Sequence, residues 1–138
     1  MTAIVTDAHY RMSVSLIRDL SDRGVRVVAC EKASIKNPVG FASRGVLRCV
    51  RLPEDGYLDA LLALCREILA QEGEKPALLP VGAKTLALLS EHRARFYPVA
   101  GLCIATPTQL ALLNDKAAVS SLAQKLSVPV PENFERKS

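Results

Sequence analysis

The chain has 138 residues, a length that suggests one domain with a core of its own, and 49% of them are hydrophobic, 23% charged and 4% aromatic, which predicts an aliphatic core. The net charge is +4, but the basic residues are scattered among acids, which argues against nucleic-acid binding and leaves room for an anionic small molecule. No stretch reaches the roughly 20 apolar residues of a membrane span and no signal peptide is visible, so we expect a cytoplasmic protein without membrane or nucleic-acid partners.

The first half of the chain alternates short apolar runs with amphipathic ones. The run "AIVT" (3–6) predicts a buried strand, and Leu16, Ile17 and Leu20 place one apolar face on a helix that Gly24 ends. "VRVVACE" (25–31) predicts a second strand. A loop of small and turn residues separates it from "VLRCVRL" (46–52), which alternates apolar and polar residues like a third strand.

The second half opens with the clearest helix, "EDGYLDALLALCREILAQEG" (54–73). "PALLPVG" (76–82) predicts a fourth strand, residues 83–96 a helix, and "GLCIAT" (101–106) a fifth strand. Thr106, Pro107 and Gln109 have the spacing of a capping box and indicate the start of a short helix. A further helix is expected to begin near Asn114.

Strands that alternate with one-faced helices are typical of a parallel sheet covered on both sides. We therefore predict an α/β fold, a Rossmann-like three-layer domain with a parallel sheet of about five strands. Ligands of such sheets bind beyond the carboxyl ends of the strands. In this sequence those ends are residues 7–11, 31–44, 80–84 and 106–108.

Several familiar nucleotide and catalytic motifs are missing from the sequence. The turn after the first strand, "TDAHYRMS", has no glycine, which argues against a dinucleotide site, and neither a P-loop nor G-x-S-x-G occurs. A receiver domain would need paired acids after the first strand, where Asp7 stands alone. A receiver-like signalling domain and a free-standing Rossmann-like module that binds a small ligand remain as alternatives.

The four cysteines form no C-x-x-C pair, and neither histidine is near them in the sequence. A zinc site is therefore not expected. Most of the cysteines lie in apolar runs, so we predict buried free thiols in a reducing compartment at Cys30, Cys49, Cys65 and Cys103.

Candidate substrate-binding residues lie at or near the strand ends: Asp7, His9, Tyr10, Arg11, Ser43, Arg44 and Lys84. The first four equally fit an exposed turn that caps the first helix. Ser43 and Arg44 either bind a carboxylate or anchor their loop, and Lys84 is otherwise a surface lysine. Glu31 closes the second strand where a Rossmann protein holds a ribose, a role that the missing glycines make doubtful.

The segment "NDKAAVSSLAQKLSVPVPENF" (114–134) places Asp115 and Lys116 at a helix start, where free amides favour a visiting anion. It resembles the junction of ATP-grasp enzymes, in which "DK" opens a helix that ends in a phrase like "gVPvP". Three upstream segments are similar to the opening elements of the branch near carbamoyl-phosphate synthase-like and D-aspartate ligase-like proteins: "AIVTDAHYRMSVSLIRDLSDRGVRVVACE", "NPVGFASRGV" and "ALLPVGAKTLALLSEH".

The resemblance implies a pre-ATP-grasp domain over residues 1–113 and, over 114–138, a linking helix and the start of an ATP-grasp domain. Family enzymes use ATP and magnesium to phosphorylate a carboxylate, which an amine or other nucleophile then attacks. Lys116 matches the lysine that often reaches the nucleotide phosphates. The other ATP-binding and magnesium-binding residues of the family match nothing in this chain.

These implications define what we expect of the 138 residues alone. The chain should be the substrate-side part of a carboxylate–amine ligase, with no catalytic or metal-binding residues of its own, no bound cofactor and no activity by itself. Its expected partners are its own C-terminal ATP-grasp domain and a small carboxylate or amino-acid-like substrate. Exposed apolar surface would allow a homodimer, and the tail after Pro131 should be loose.

Overall fold

The computed structural model describes residues 1–131. Four parallel strands form one sheet in the order β3-β2-β1-β4, with β1 at Thr2–Val5, β2 at Arg26–Lys32, β3 at Val46–Leu52 and β4 at Ala77–Leu79. This is the strand order of a Rossmann fold, whereas a receiver domain places its first strand between the second and the third. The predicted fold class is confirmed, and the strand order disfavours the receiver-like alternative.

Helices follow the strands along the chain. They are α1 (Arg11–Asp22), α2 (Tyr57–Glu72), α3 (Ala83–Glu91) and the short α4 (Arg93–Phe96), and a 3-10 turn spans Val39–Ala42. Two more helices, α5 (Pro107–Asn114) and α6 (Lys116–Lys125), come after residue 105. Among residues 1–131, no helix combines the length and the apolar character needed to cross a membrane.

The core lies on both faces of the sheet because successive strand residues point to opposite sides. Ile4, Val28 and Leu78 belong to the cluster packed under α2, whereas Val5 and Val27 pack with α1. The deepest contributions from α2 are Leu61, Cys65 and Ile68. Helices on both faces give the three layers expected from the sequence.

The predicted fifth strand is the main correction to the fold. Residues 101–106 form no strand, and only an isolated parallel bridge joins Gly101 to Ala77. The amide of Gly101 donates to the Pro76 carbonyl at 2.8 Å, and that of Leu78 donates to the Gly101 carbonyl at 2.8 Å. β4 itself ends after three residues, before Pro80, which has no amide hydrogen for a ladder. The helix predicted over 83–96 is likewise divided, at His92.

The prediction of buried cysteines holds for two of the four. Cys30 and Cys65 are buried, and burial raises the pKa of the Cys30 thiol and raises that of Cys65 to about 12. Cys49 and Cys103 are exposed, so the prediction is wrong there. Cys49 lies on β3, an edge strand, where an apolar run does not guarantee cover on both faces. All four are free thiols.

The chain forms two compact units, Met1–Ile104 and a second that begins at Ala105. In the second unit, the capping box at Thr106 is confirmed: its hydroxyl accepts from the amide of Gln109 at 3.2 Å, and the Gln109 side chain accepts from the amide of Thr106 at 2.8 Å. The boundary expected at residues 113/114 concerns the start of an ATP-grasp domain and stays a prediction. The tail expected to be loose lies outside the described residues.

Candidate ligand-binding site at the carboxyl ends of the strands

The turn after β1 is organised by the Asp7 carboxylate, which is 9% exposed. Its Oδ2 accepts from the Thr6 hydroxyl at 2.5 Å and from the Gly82 amide at 2.9 Å, and its Oδ1 accepts from the Thr85 hydroxyl at 2.6 Å. The bonds from Gly82 and Thr85 join residues that are 75 and 78 positions apart in the sequence. We call Asp7 with these three donors the Asp7 clamp; it ties the turn after β1 to the start of α3.

Backbone geometry makes room for this clamp. Asp7 has a φ of 55°, a left-handed conformation that Asp tolerates better than most residues, and its carbonyl accepts from the buried Ser13 hydroxyl at 2.7 Å. A Cβ at Gly82 would lie 2.8 Å from the Asp7 Cγ. Residue 82 is therefore a glycine because the carboxylate passes directly over its backbone.

A second carboxylate, Glu31 at the end of β2, is 2% exposed. Its Oε2 accepts from the His9 amide at 2.8 Å and lies 2.6 Å from the His9 Nδ1, while its Oε1 accepts from the Lys32 amide at 2.8 Å. The His9 side chain is 34% exposed, and the centre of its ring lies 4.0 Å from that of the Tyr10 ring, with the two ring planes tilted by 38°. Glu31 thus holds the turn after β1 in place and orients His9 at the carboxyl ends of the strands.

Between these two carboxylates opens a cleft of about 200 Å³, which we call the strand-end cleft. Three chain segments meet there because parallel strands end at the same edge of a sheet. The turn after β1, the end of β2 and the start of α3 line it with Asp7, His9, Tyr10, Glu31, Lys32, Gly82, Lys84 and Thr85, and Ile35 adds an apolar side.

The phenol of Tyr57 lies under this region, buried at the start of α2. Burial raises its pKa, and the negative charge of Asp7 adds to the effect. The Lys32 ammonium lies 5.5 Å from the centre of the Tyr57 ring and 3.7 Å from the Glu54 carboxylate. Lys32 is thus engaged on two sides, whereas the Lys84 side chain makes no hydrogen bond or ion pair within residues 1–131.

The structure brings four of the predicted site residues to one cleft: Asp7, His9, Tyr10 and Lys84. Arg11 is the exposed first residue of α1 and does not line it. Ser43 and Arg44 lie elsewhere, because the chain has crossed to the amino end of β3 by residue 46. Arg44 lines a separate cavity of about 380 Å³ with Arg18, Ser21, Asp22 and Gly45. The binding roles of all seven residues stay predictions.

Sequence reasoning did not name four of the lining residues as candidates: Lys32, Ile35, Gly82 and Thr85. The signal that could have found them is their position, at or just past the ends of the second and fourth strands. Sequence reasoning also gave Glu31 no role beyond a doubtful contact with a ribose. Its contact with His9 depends on how the turn after β1 folds over the end of β2, which the sequence pattern does not show.

Lys116 lies in the second unit as the exposed first residue of α6. The Asp115 Oδ1 accepts from the amides of Ala117 at 2.9 Å and Ala118 at 3.0 Å, so these two donors are taken and the helix start offers an anion less than the sequence suggested. Lys116 lines a cleft of about 440 Å³ with Leu113, Val119, Ser120, Val130 and Pro131.

Magnesium, which the resemblance implies for the larger enzyme, does not fit the residues at hand. Within residues 1–131, no group of three or more His, Cys, Asp or Glu side chains could hold a metal ion. The two buried carboxylates of the strand-end cleft already accept hydrogen bonds on all their oxygens from protein donors. No reaction step through magnesium follows from these residues.

Comparison with known proteins is informative at the level of structure. No protein-family model matches the chain, and no curated protein matches it. The biotin carboxylase domain of a single-chain bacterial carboxylase is 25% identical over 100% of this chain and 32% of that one, with a TM-score of 0.58. An L-amino acid ligase from Bacillus licheniformis is 17% identical over 94% of this chain and 31% of its own, with a TM-score of 0.56.

A third structure is the ATPase subunit of phosphoribosylaminoimidazole carboxylase from Aquifex aeolicus, with 14% identity, a TM-score of 0.53, and coverage of 96% of this chain and 33% of that one. The chain thus spans about a third of the length of each of these structures. The matched regions are the N-terminal parts of ATP-grasp proteins. The chain therefore has the fold of a pre-ATP-grasp domain, as the resemblance in its sequence implied.

Proposed function

We propose that this chain is the N-terminal, substrate-side domain of an ATP-dependent carboxylate–amine ligase that works through an acyl phosphate. The observation that carries the proposal is the likeness of nearly the whole chain to the N-terminal third of ATP-grasp proteins. The "DK" at Asp115 and Lys116 supports it, because it opens α6 where the family's junction helix is expected.

The strand-end cleft is the substrate-binding part of this proposal. It lies at the carboxyl ends of β1, β2 and β4, where open α/β sheets bind ligands. At about 200 Å³ it is smaller than the pockets that hold drug-sized molecules, so its ligand is a small carboxylate or amine. Lys84 supplies a cation with no partner among the described residues.

ATP and magnesium belong, in this proposal, to the ATP-grasp part of the larger enzyme. Phosphoryl transfer requires metal ions and several cations held around the phosphates. Lys116 is the one residue of this chain that we assign to the nucleotide, and a single lysine cannot supply the several kcal/mol of barrier reduction that catalysis needs. The 138 residues alone are therefore proposed to be inactive.

The test uses the longer protein that the proposal requires, expressed from a reading frame that continues into an ATP-grasp domain. Phosphate release from Mg-ATP should require both a carboxylate and an amine. Replacing Lys116 with Ala should weaken Mg-ATP binding in calorimetry by about tenfold or more, equivalent to about 1.4 kcal/mol. Lys125→Ala, at the other end of α6, is the matched control and should bind Mg-ATP like the wild type.

Two results would contradict the proposal. Unchanged Mg-ATP affinity in Lys116→Ala would remove Lys116 from the nucleotide site. Phosphate release by the 138-residue chain itself, above that of its Lys116→Ala variant, would show that the chain is not the inactive part of a larger enzyme.

A free-standing module that binds a small ligand is the second candidate. It is favoured by one observation: every residue lining the strand-end cleft belongs to the compact unit Met1–Ile104. A reading frame that stops at Ser138, together with ligand binding by the chain alone, would select this module over the ligase. The proposed location is the cytoplasm, where exposed thiols such as Cys49 and Cys103 stay reduced. Whether the chain forms a homodimer stays a prediction.

A further inference from the structure

The strand-end cleft contains a histidine whose tautomer is set by a buried carboxylate. Both oxygens of Glu31 accept main-chain amide hydrogens, from His9 and from Lys32, and Oε2 also lies 2.6 Å from the His9 Nδ1. An ionised carboxylate has no hydrogen to donate. The Nδ1 must therefore carry the proton in this hydrogen bond.

This arrangement leaves the other ring nitrogen with a definite chemistry. In a neutral imidazole one nitrogen donates and the other accepts, so the Nε2 of His9 is an acceptor with a free lone pair. The ring lines the cleft and is one-third exposed, so this lone pair is within reach of a ligand. The tilted contact with the Tyr10 ring, whose centre lies 4.0 Å from that of His9, further restricts rotation of the imidazole.

The charges of the cleft describe the ligand. Two lysines and two carboxylates line it, so their formal charges cancel, which suits a ligand that carries both signs and no net charge. Asp7 and Glu31 are engaged with protein donors, and Lys32 contacts Glu54 and Tyr57. Among the ionisable lysine, carboxylate and imidazole groups of the cleft, the Lys84 ammonium and the His9 Nε2 remain available to a ligand: one cation and one proton acceptor.

We propose that the strand-end cleft binds a small α-amino acid, with its carboxylate on Lys84 and its ammonium donating to the Nε2 of His9. The proposal rests on the proposed function, because it assigns this amino acid as the amine of the ligase. An N–H bond of the ammonium breaks, a bond from that hydrogen to Nε2 forms, and the products are a neutral amine and an imidazolium. Glu31 keeps its hydrogen bond from Nδ1 and stabilises the new positive charge.

The first test reads the tautomer directly in the 138-residue chain. Long-range ¹H–¹⁵N spectra distinguish the two nitrogens of each ring, and the chain has only two histidines, so a His92→Gln variant assigns the signals of His9. We expect a protonated Nδ1 and an unprotonated Nε2 in the free chain, and a shift of the Nε2 signal on titration with L-alanine. A proton on Nε2 in place of Nδ1 would overturn the proposal.

The second test measures which groups of the ligand are recognised. L-alanine, propionate, which lacks the amino group, and L-alaninamide, which lacks the carboxylate, are titrated into the labelled chain. Propionate and L-alaninamide should each bind about tenfold more weakly than L-alanine, since each loses a hydrogen bond to a charged group. Equal binding of propionate would show a site for carboxylates only. The absence of shifts with glycine, L-alanine, L-serine and L-aspartate alike would also refute the proposal.

Variants separate the site from the general charge of the chain. Lys84→Met and His9→Phe should each lower the affinity for L-alanine about tenfold. Phenylalanine is chosen at position 9 because its ring keeps an aromatic group against Tyr10. Arg18→Met is the control, because Arg18 is an exposed cation that lines the separate cavity beside Arg44. The affinity of this variant for L-alanine should equal that of the wild type. Equal weakening in Arg18→Met would overturn the assignment of Lys84.

Failure of the amino-acid proposal can be distinguished from failure of the ligase proposal, because the binding tests need neither ATP nor the larger enzyme. A longer protein that is an ATP-dependent ligase, combined with a chain that binds no amino acid, would leave the function standing and refute the assignment of the cleft. Amino-acid binding without any ligase activity would do the reverse.

Discussion

Single side chains at the strand-end cleft do two separate jobs. Asp7 and Glu31 are buried acceptors whose oxygens receive hydrogens from the protein, so they shape the cleft. His9 and Lys84 present groups that a ligand can use. The two acids therefore position other groups, and ligand binding is best tested with substitutions of His9 and Lys84.

The role of Asp7 predicts a loss of stability in Asp7→Asn. An amide replaces one acceptor oxygen with an NH₂ group, which faces a donor instead of accepting from Gly82 or Thr85. We expect the free energy of unfolding to fall by about 1–3 kcal/mol, measured by urea denaturation. Asp22→Asn, at an exposed aspartate at the end of α1, should change it by less than about 0.5 kcal/mol. Equal effects in the two variants would show that the Asp7 hydrogen bonds contribute little.

Whole elements show how far the sequence predicts the fold and where it fails. Strands β1 and β2 and helices α1 and α2 follow from their apolar patterns, because each packs into the core. β3 also follows from its alternating pattern, although Leu52 is its only buried residue. The fifth strand failed because an apolar run at 101–106 resembles a strand whether or not a neighbour pairs with it. Half of the site was likewise predictable, since strand ends mark it, but the Glu31–His9 contact depends on the fold of a turn.

At this scale, α6 depends on its N-cap residue, Asp115. The Asp115 carboxylate accepts from two amides of the first turn, and α6 buries none of its residues in the described structure, so packing cannot replace the cap. Replacing Asp115 with Ala should cost about 1 kcal/mol of helix stability and speed hydrogen exchange in the residues of α6. Gln124→Ala, an exposed change inside the same helix, should leave exchange unchanged. Unaltered exchange in Asp115→Ala would show that the cap does not hold the helix.

Over the whole molecule, two buried thiols and a buried phenol make the stability of the fold decrease at alkaline pH. Burial raises the pKa of Cys30, Cys65 and Tyr57 above their ordinary values, which are 9.0 for the thiols and 10.0 for the phenol. Above these values the unfolded chain loses protons that the folded chain keeps. The stabilisation is therefore complete below about pH 9 and is lost as the pH rises towards about 12, the folded value of Cys65.

The urea concentration at the midpoint of unfolding, measured under reducing conditions, should accordingly decrease as the pH is raised from 8 to 10.5. Cys65→Ala should lower stability at every pH and make this decline shallower, because one of the protons is no longer there to lose. Cys103→Ala, at an exposed thiol, should leave the steepness of the decline unchanged. A midpoint that is constant over this range would contradict the burial of these groups.

The place of β1 in the middle of the sheet has a consequence for how the protein is made. β1 is synthesised before both of its neighbours: it pairs on one side with β2, but its other neighbour, β4, follows more than 70 residues later. Until Ala77–Leu79 emerges, β1 has an open edge and Asp7 lacks the donors of Gly82 and Thr85. A nascent chain stalled before this point should hold an incomplete sheet that is accessible to proteases and chaperones. The strand-end cleft is complete only after Gly82, Lys84 and Thr85 have also been synthesised.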